Sequence, residues 1–370
     1  MTIVHSIATN MKAIKIEDKK AVVVADAILT NDPRPDEVLV KIVAVALNPT
    51  DWKHLEYGIP TRPTVGCDFA GVVEKVGPEV TRFKKGERVF GLAHGSNEGR
   101  PDNAAFQEYV YTKEAVMAHI PDHLSFEEAA TFPVGILTVG QGMYQEMPVP
   151  WPDSPLKEKV PMLIYGGSSA TGALAIQFAK LSGYEVLTTA GKSNFDYVKS
   201  LGADAVFDSR SPTVGEEIRA YTNDKLYCVF DTIGEHGSPE ASAKALASKA
   251  PEGRELYYGT ILVKDIKNFI ERNSKFEARP DDVVFSVSLA YTAQGEAFHI
   301  RDAKFPARLE DYVFAKKWMS FAGDLIAQGK VKPHRAEVRE GGFDSIPSGL
   351  EDMKNGKVSG VKLVYRLAEP

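Results

Sequence analysis

The apolar positions change period between residues 160 and 181. Pro161 is followed by the unbroken run Met162-Leu163-Ile164-Tyr165, the pattern of a buried strand. Past the small-residue turn Gly166-Gly167-Ser168-Ser169-Ala170-Thr171-Gly172, apolar residues recur at Leu174, Phe178 and Leu181, which is helical spacing. Short apolar runs at 185–189, 205–208, 226–231 and 256–259 predict further strands, and stretches near 194–201, 213–221 and 239–248 predict helices between them. Such alternation predicts an α/β region built on a doubly wound parallel sheet.

Residues 1–150 follow a different rhythm. Short strands at 37–45 and 87–91, separated by Gly/Pro turns, predict a small antiparallel β-rich unit. Five prolines between Pro148 and Pro161 mark the expected crossing into the parallel region. A long amphipathic helix is expected over 309–325, then a β–α–β tail ending at 362–367 that returns to the first unit. The expected division is a β-rich domain over 1–155, completed by 300–370, and a doubly wound domain over 156–299. A cleft between two such domains is where a cofactor and a substrate would meet.

The 166–172 turn joins a strand to a helix, so backbone N–H groups and the positive end of the helix dipole face one point, as dinucleotide binding requires. Ser168 stands where a strict G-x-G-x-x-G has its middle glycine. Gly167 and Gly172 have P-loop spacing, but Ala173-Leu174 replaces the Lys-Ser/Thr that phosphate and Mg²⁺ need, which excludes an NTPase. NAD-binding proteins usually carry an acid at the end of the second strand. Here the chain reads Ala190-Gly191-Lys192-Ser193-Asn194, with no carboxylate and with a lysine suited to a 2′-phosphate, so NADPH is expected. The alternative is that Lys192 is a solvated loop charge.

Composition narrows the setting. The chain has 370 residues, 44% hydrophobic and 25% charged, and a net charge of −6 that offers no attraction to nucleic acid or anionic membrane. Two cysteines, Cys67 and Cys228, are too few for a disulfide framework, so a reducing, cytoplasmic setting is expected. Residues 1–10 lack a basic segment followed by an apolar core, so no leader is expected, and no apolar run reaches the roughly eighteen residues of a membrane span.

The chain resembles the medium-chain dehydrogenase/reductase superfamily over nearly its whole length. The motifs that carry the resemblance are Asn48-Pro49-Thr50-Asp51-Trp52-Lys53, Gly66-Cys67-Asp68-Phe69-Ala70-Gly71, Lys85-Gly86-Glu87-Arg88-Val89, Pro133-Val134-Gly135-Ile136-Leu137-Thr138, the turn 165–172 and Gly356-Lys357-Val358-Ser359-Gly360. Within that superfamily it looks most like the fungal trans-acting enoyl reductases that partner polyketide synthases, with zinc-free quinone reductases as broader relatives. The resemblance implies a GroES-like β-rich catalytic domain beside a Rossmann domain. The zinc-dependent branch needs a Cys in the first motif and a His in the second; here Asn48-Pro49-Thr50-Asp51 and Cys67 stand there, and His119 and His123 straddle Pro121. No metal is expected, and Cys67 reads as a buried thiol.

The resemblance also carries site residues. It places Thr50, Asp51, Trp52 and Lys53 along the cofactor, with Lys53 near the nicotinamide; a surface lysine at a strand end is the alternative. Ser168, Ser169, Ala170 and Thr171 would hold the diphosphate, and Gly191, Lys192, Ser193 and Asn194 the 2′-phosphate. Ser209 stands where the family often has a tyrosine near the adenosine phosphate. Ile261 and Leu262 would flank the nicotinamide through their backbones, and Ser359 and Gly360 would touch the cofactor. Thr138 would meet the carboxamide and the substrate, or cap the helix that follows it. Val139, Gly140, Gln141, Gly142, Met143, Leu289, Ala290, Tyr291, Thr292 and Ala293 would line the substrate, although an apolar strip such as 289–293 also suits a core.

The implied reaction is hydride transfer from NADPH to the β-carbon of an α,β-unsaturated polyketide acyl thioester, free or tethered to a carrier protein, with Lys53, Thr138 and Tyr291 as candidate catalytic residues. Tyr291 and solvent are equal candidates for the proton donor. A polyketide synthase is the expected partner, and the chain itself is expected as a monomer. Two alternatives remain: a quinone or enone reductase of free small molecules, and a non-catalytic NADPH-binding accessory protein, against which Lys53 and Thr138 argue.

Overall fold

The computed structural model describes residues 9–29, 32–57, 59, 61–100, 103–262, 269–270 and 275–370; residues 1–8, at the start of the segment read for a leader, lie outside them. The chain divides into two compact units, Met1–Val134 with Tyr291–Pro370, and Gly135–Ala290. The proline-rich stretch 148–161 thus lies inside the second unit.

In the first unit, β1 (Thr9–Glu17) and β2 (Lys20–Leu29) form an antiparallel hairpin. β3 (Glu37–Ala46) is buried along nearly its whole length, as its apolar sequence requires. It runs directly into α1 (Pro49–Glu56), which starts with proline in its first turn and with the Asp51 carboxylate accepting the Asn48 N–H at 2.7 Å. There follow β4 (Asp68–Val76), β5 (Arg88–Leu92), β6 (Tyr109–Lys113), β7 (Met117–His119) and the short α2 (Phe126–Ala129). α3 (Pro133–Val139) starts at the end of this segment, and from Gly135 on it belongs to the second unit, where it continues without a break into a π-helical stretch, Gly140–Gln145.

The second unit holds β8 (Pro161–Tyr165), α4 (Ala170–Leu181), β9 (Glu185–Ala190), α5 (Phe195–Ser200), β10 (Ala205–Asp208), α6 (Val214–Tyr221), β11 (Cys228–Asp231), α7 (Ser238–Ala245), β12 (Leu256–Thr260) and β13 (Val283–Val287). The six strands lie in the order β10-β9-β8-β11-β12-β13 and all pair in parallel. This is the doubly wound order, which reverses direction between β8 and β11. α4 buries Leu174, Ile176 and Phe178, while Val214, Ile218 and Ala243 of α6 and α7 join a core with Leu163, Leu187 and Val229 of the strands. β13 was not expected: its five residues follow a charged segment, and so short a run carries little periodicity.

The chain then returns to the first unit with a small hairpin, β14 (Phe298–Ile300) and β15 (Ala303–Phe305), and with α8 (Leu309–Ala327), two residues longer than expected. The tail is the expected β–α–β: β16 (Ala336–Arg339), α9 (Ile346–Lys354) and β17 (Lys362–Arg366). It closes a seven-stranded sheet in the order β16-β17-β3-β4-β5-β7, with β6 also paired to β3. The sheet's core gathers Val38, Val40, Ile42, Phe69, Val89, Phe106 and Leu363. No helix among the described residues is long and apolar enough to cross a membrane.

Candidate active site

The 166–172 turn leaves the end of β8 and runs into the first turn of α4, at the point where the strand order reverses. Gly166 takes φ +81°, a conformation that side chains disfavour, and a Cβ on Gly172 would fall 2.3 Å from the Gly166 carbonyl oxygen. The Gly167 N–H donates to the Thr189 carbonyl and the Gly166 N–H to the Thr189 hydroxyl, both at 2.9 Å, so the turn is tied to β9. Ser169 caps α4: its hydroxyl accepts the Gly172 N–H at 3.0 Å and lies 3.0 Å from the Thr232 hydroxyl just past β11. Ser168, Ser169 and Ala170 are half-buried and Thr171 is buried. A backbone cradle at the start of a twelve-residue helix, tight enough to reject a Cβ, fits a diphosphate.

The segment expected to meet the ribose differs from expectation in one respect. β9 ends without an acid, yet a carboxylate stands beside that end: Asp208, which closes β10 and pairs in register with Ala190. Lys192 and Ser193 are exposed, Asn194 is buried and Gly191 has open space around its Cα. Ser209 is half-buried and its N–H donates to the Ala190 carbonyl at 3.0 Å, so the 168–171, 191–194 and 209 segments share one sheet edge.

Thr138 sits inside α3 rather than ahead of a helix, so it does not serve as a cap. Thr138, Val139, Gly140, Gln141, Gly142 and Met143 are all buried, and a Cβ on Gly142 would fall 2.4 Å from the Phe230 ring. That close approach requires glycine at this position of the π-helical stretch, which was not foreseen. Ile261 and Leu262 are half-buried past β12, with the Thr260 hydroxyl 3.3 Å from the Leu262 carbonyl. Leu289 and Ala290 end this unit, and the boundary falls within the expected substrate strip.

Tyr291, Thr292 and Ala293 belong to the first unit and are buried. The Tyr291 hydroxyl lies 2.9 Å from the Thr50 hydroxyl and 3.3 Å from the Cys67 thiol. Its ring stacks on His94, with centroids 4.0 Å apart and planes 9° apart, and His54 lies 6.1 Å away on a near-parallel plane. Thr292 is spent on a bond to the buried Asp311. α1 brings Thr50, Asp51, Trp52 and Lys53 to one turn; Lys53 is helical, not at a strand end, with its ammonium 5.7 Å from the Trp52 ring. Ser359 is exposed and Gly360 buried, just ahead of β17.

A second layer holds α1 in place. Buried Asp68 accepts from the Val134 N–H at 2.7 Å and the Asn48 amide at 2.9 Å, and it forms an ion pair with buried Lys362. Burial raises Asp51 to about 7, against the pull of the Asn48 N–H. It lowers His54 to about 4 and His94 to about 3, so both imidazoles are neutral at pH 7. Burial, and next the neighbouring Cys67, push the Tyr291 phenol well above its ordinary range, so it keeps its proton. His54, His94 and Asp208 were not singled out from sequence. Asp208 had a legible signal, because neighbouring parallel strands end on one edge; the histidines had none.

Residues 34–122 match the family described as alcohol dehydrogenase GroES-like domain, and residues 170–278 the one described as zinc-binding dehydrogenase. The chain is 44% identical over 337 residues to the trans-enoyl reductase ACTTS2 of Alternaria alternata, covering 90% of this chain and 92% of that protein. It is 40% identical over 352 residues to the trans-enoyl reductase resD of Aspergillus sclerotiorum, covering 90% and 94%. Among solved structures, an alcohol dehydrogenase superfamily protein from Novosphingobium aromaticivorans shares the fold at TM-score 0.74 and 23% identity, covering 97% of this chain and all of the other. The CurK enoyl reductase shares it at TM-score 0.73 and 20% identity, with the same coverage. The residues present do not fit a zinc ion. Asp68 is paired with Lys362, the Cys67 thiol is bonded to Tyr291, and among the described residues no three His, Cys, Asp or Glu side chains converge.

Proposed function

The chain belongs to the trans-enoyl reductase family, and we propose that it uses NADPH to reduce the double bond of an α,β-unsaturated polyketide acyl thioester carried on a synthase's carrier protein. It is a nicotinamide-dependent oxidoreductase acting on a carbon–carbon double bond; the thioester, the phosphorylated cofactor, the synthase and the cytoplasmic setting are the proposed part. The observation that carries the reading is the Tyr291 hydroxyl, a buried, neutral proton carrier bonded to Thr50 on the helix that bears Lys53.

When bound, the nicotinamide supplies a hydride for the β-carbon. The chain's own residues do the rest. The Ser168–Thr171 segment at the start of α4 would hold the diphosphate through the backbone N–H groups of Ser168, Ala170 and Thr171, and Lys192 and Ser193 would meet the 2′-phosphate. Charge that develops on the thioester oxygen is met by hydroxyl and backbone donors, Thr138 among them. Tyr291 gives its proton to the α-carbon and is steadied, once ionised, by the hydroxyl of Thr50. Lys53 offers a positive charge and three donors on α1.

Purified protein with NADPH should turn over a short enoyl pantetheine or coenzyme A thioester and leave simple quinones largely untouched. Rapid quinone reduction with inert thioesters, even on a carrier protein, would make it a reductase of free small molecules. Tight NADPH binding with neither substrate consumed would make it a non-catalytic accessory protein.

A further inference from the structure

The edge that holds Lys192 also holds a competitor for it. The Lys192 ammonium lies 3.6 Å from Asp208 Oδ2. The other oxygen of that carboxylate, Oδ1, accepts the Arg210 N–H at 3.1 Å, which aims Oδ2 toward the 191–194 loop. Lys192 is 80% exposed and Asp208 24%, so the lysine is the mobile partner and the carboxylate the anchored one. In NAD-binding sites an acid at the end of the second strand selects against a 2′-phosphate. Here the acid comes from the adjacent strand, held in register opposite Ala190.

We infer that Asp208 is a specificity-determining residue: it competes with the 2′-phosphate for Lys192, so the choice between NADPH and NADH is set by this pair rather than by the lysine alone. The inference rests on Lys192 meeting the 2′-phosphate. A second negative charge beside a phosphate dianion lowers affinity for it, and holding Lys192 at Asp208 removes part of the cation that would bind it. NADH has no such phosphate and is indifferent to the competition.

The test is cofactor binding to the substrate-free full chain, followed by the fluorescence of NADPH and of NADH at low ionic strength. Asp208→Asn keeps an acceptor for the Arg210 N–H and removes the charge. It should tighten NADPH about three- to fivefold and leave NADH unchanged. Asp208→Ser serves the same purpose if the asparagine variant is unstable. In a Lys192→Ala background the gain from Asp208→Asn should shrink. Weaker NADPH binding in Asp208→Asn, or equal changes for both cofactors, or no change, would overturn the competition. Lys192→Ala alone separates the two levels. If it weakens NADPH about tenfold while Asp208→Asn does nothing selective, only the role of Asp208 fails. If it leaves NADPH untouched, the 2′-phosphate reading itself fails.

Discussion

In the second unit the 166–172 turn is made of backbone. Its glycines matter for the atoms they lack: a Cβ on Gly167 would fall 2.1 Å from the Thr188 hydroxyl, and one on Gly172 2.3 Å from a carbonyl. In the first unit the surroundings of Tyr291 are made of side chains drawn from distant segments, Thr50 and His54 on α1, Cys67 just ahead of β4, and His94 just past β5. The two regions should therefore respond to mutation in opposite ways. Added atoms at the glycines damage the turn, while loss of the non-capping side chain of Ser168 scarcely touches it. The tyrosine site tolerates little loss, because removing Thr50 or Cys67 takes a partner from the buried Tyr291 hydroxyl.

The largest effect is expected beneath the tyrosine site. Lys362→Ala leaves the Asp68 carboxylate buried without its cation and should destabilise the protein by about 3–5 kcal/mol in urea unfolding. A loss under 1 kcal/mol would mean that Asn48 and the Val134 N–H suffice to hold Asp68. Next comes the turn. Gly172→Val should weaken NADPH binding on the order of a hundredfold, while Ser168→Ala changes it less than about threefold. Equal losses would show that the turn works through its side chains. Tyr291→Phe should slow thioester reduction about ten- to a hundredfold with cofactor affinity unchanged. A normal rate would hand proton delivery to solvent.

The smallest expected effect is on the pH dependence of stability. His94 and His54, at about 3 and about 4, stay neutral in the fold while the unfolded chain binds their protons below about 6.5. Their contribution is present above pH 6.5 and is lost as pH falls toward 4. Asp51, raised to about 7, has the opposite sign: the folded protein keeps a proton that the unfolded chain releases, so its contribution is full below about 3.8 and lost as pH rises to 7. Two histidines against one carboxyl give a net loss on acidification from pH 6.5 to 4. His94→Gln should lose less over that range in urea midpoints than the natural chain. An unchanged loss would mean that His94 is charged in the fold.

What was legible in the sequence divides along the same line. A turn built from contiguous backbone is written in contiguous residues, so the strand, the small residues and the helix spacing of 161–181 disclosed it. The parallel strands came from apolar runs, and only β13, brief and beside charged residues, escaped. Tyr291 and its neighbours are brought together by folding across more than two hundred positions, and no local period records such a meeting. His94 shows this most clearly: one histidine after Gly91-Leu92-Ala93 carries no mark of the aromatic ring that will stack on it. Asp208 falls between the cases. Its strand was recognised, but its neighbourhood depends on strand order, which periodicity does not supply.

The most direct test of the central claim is to follow a label. NADPH deuterated at the transferring position of the nicotinamide would be supplied with a short enoyl pantetheine thioester, and the saturated product read by mass spectrometry and NMR. An enoyl reductase places the deuterium on the β-carbon and draws the α-hydrogen from water-exchangeable groups. A product without cofactor-derived deuterium at the β-carbon, or no product despite cofactor binding, would contradict it.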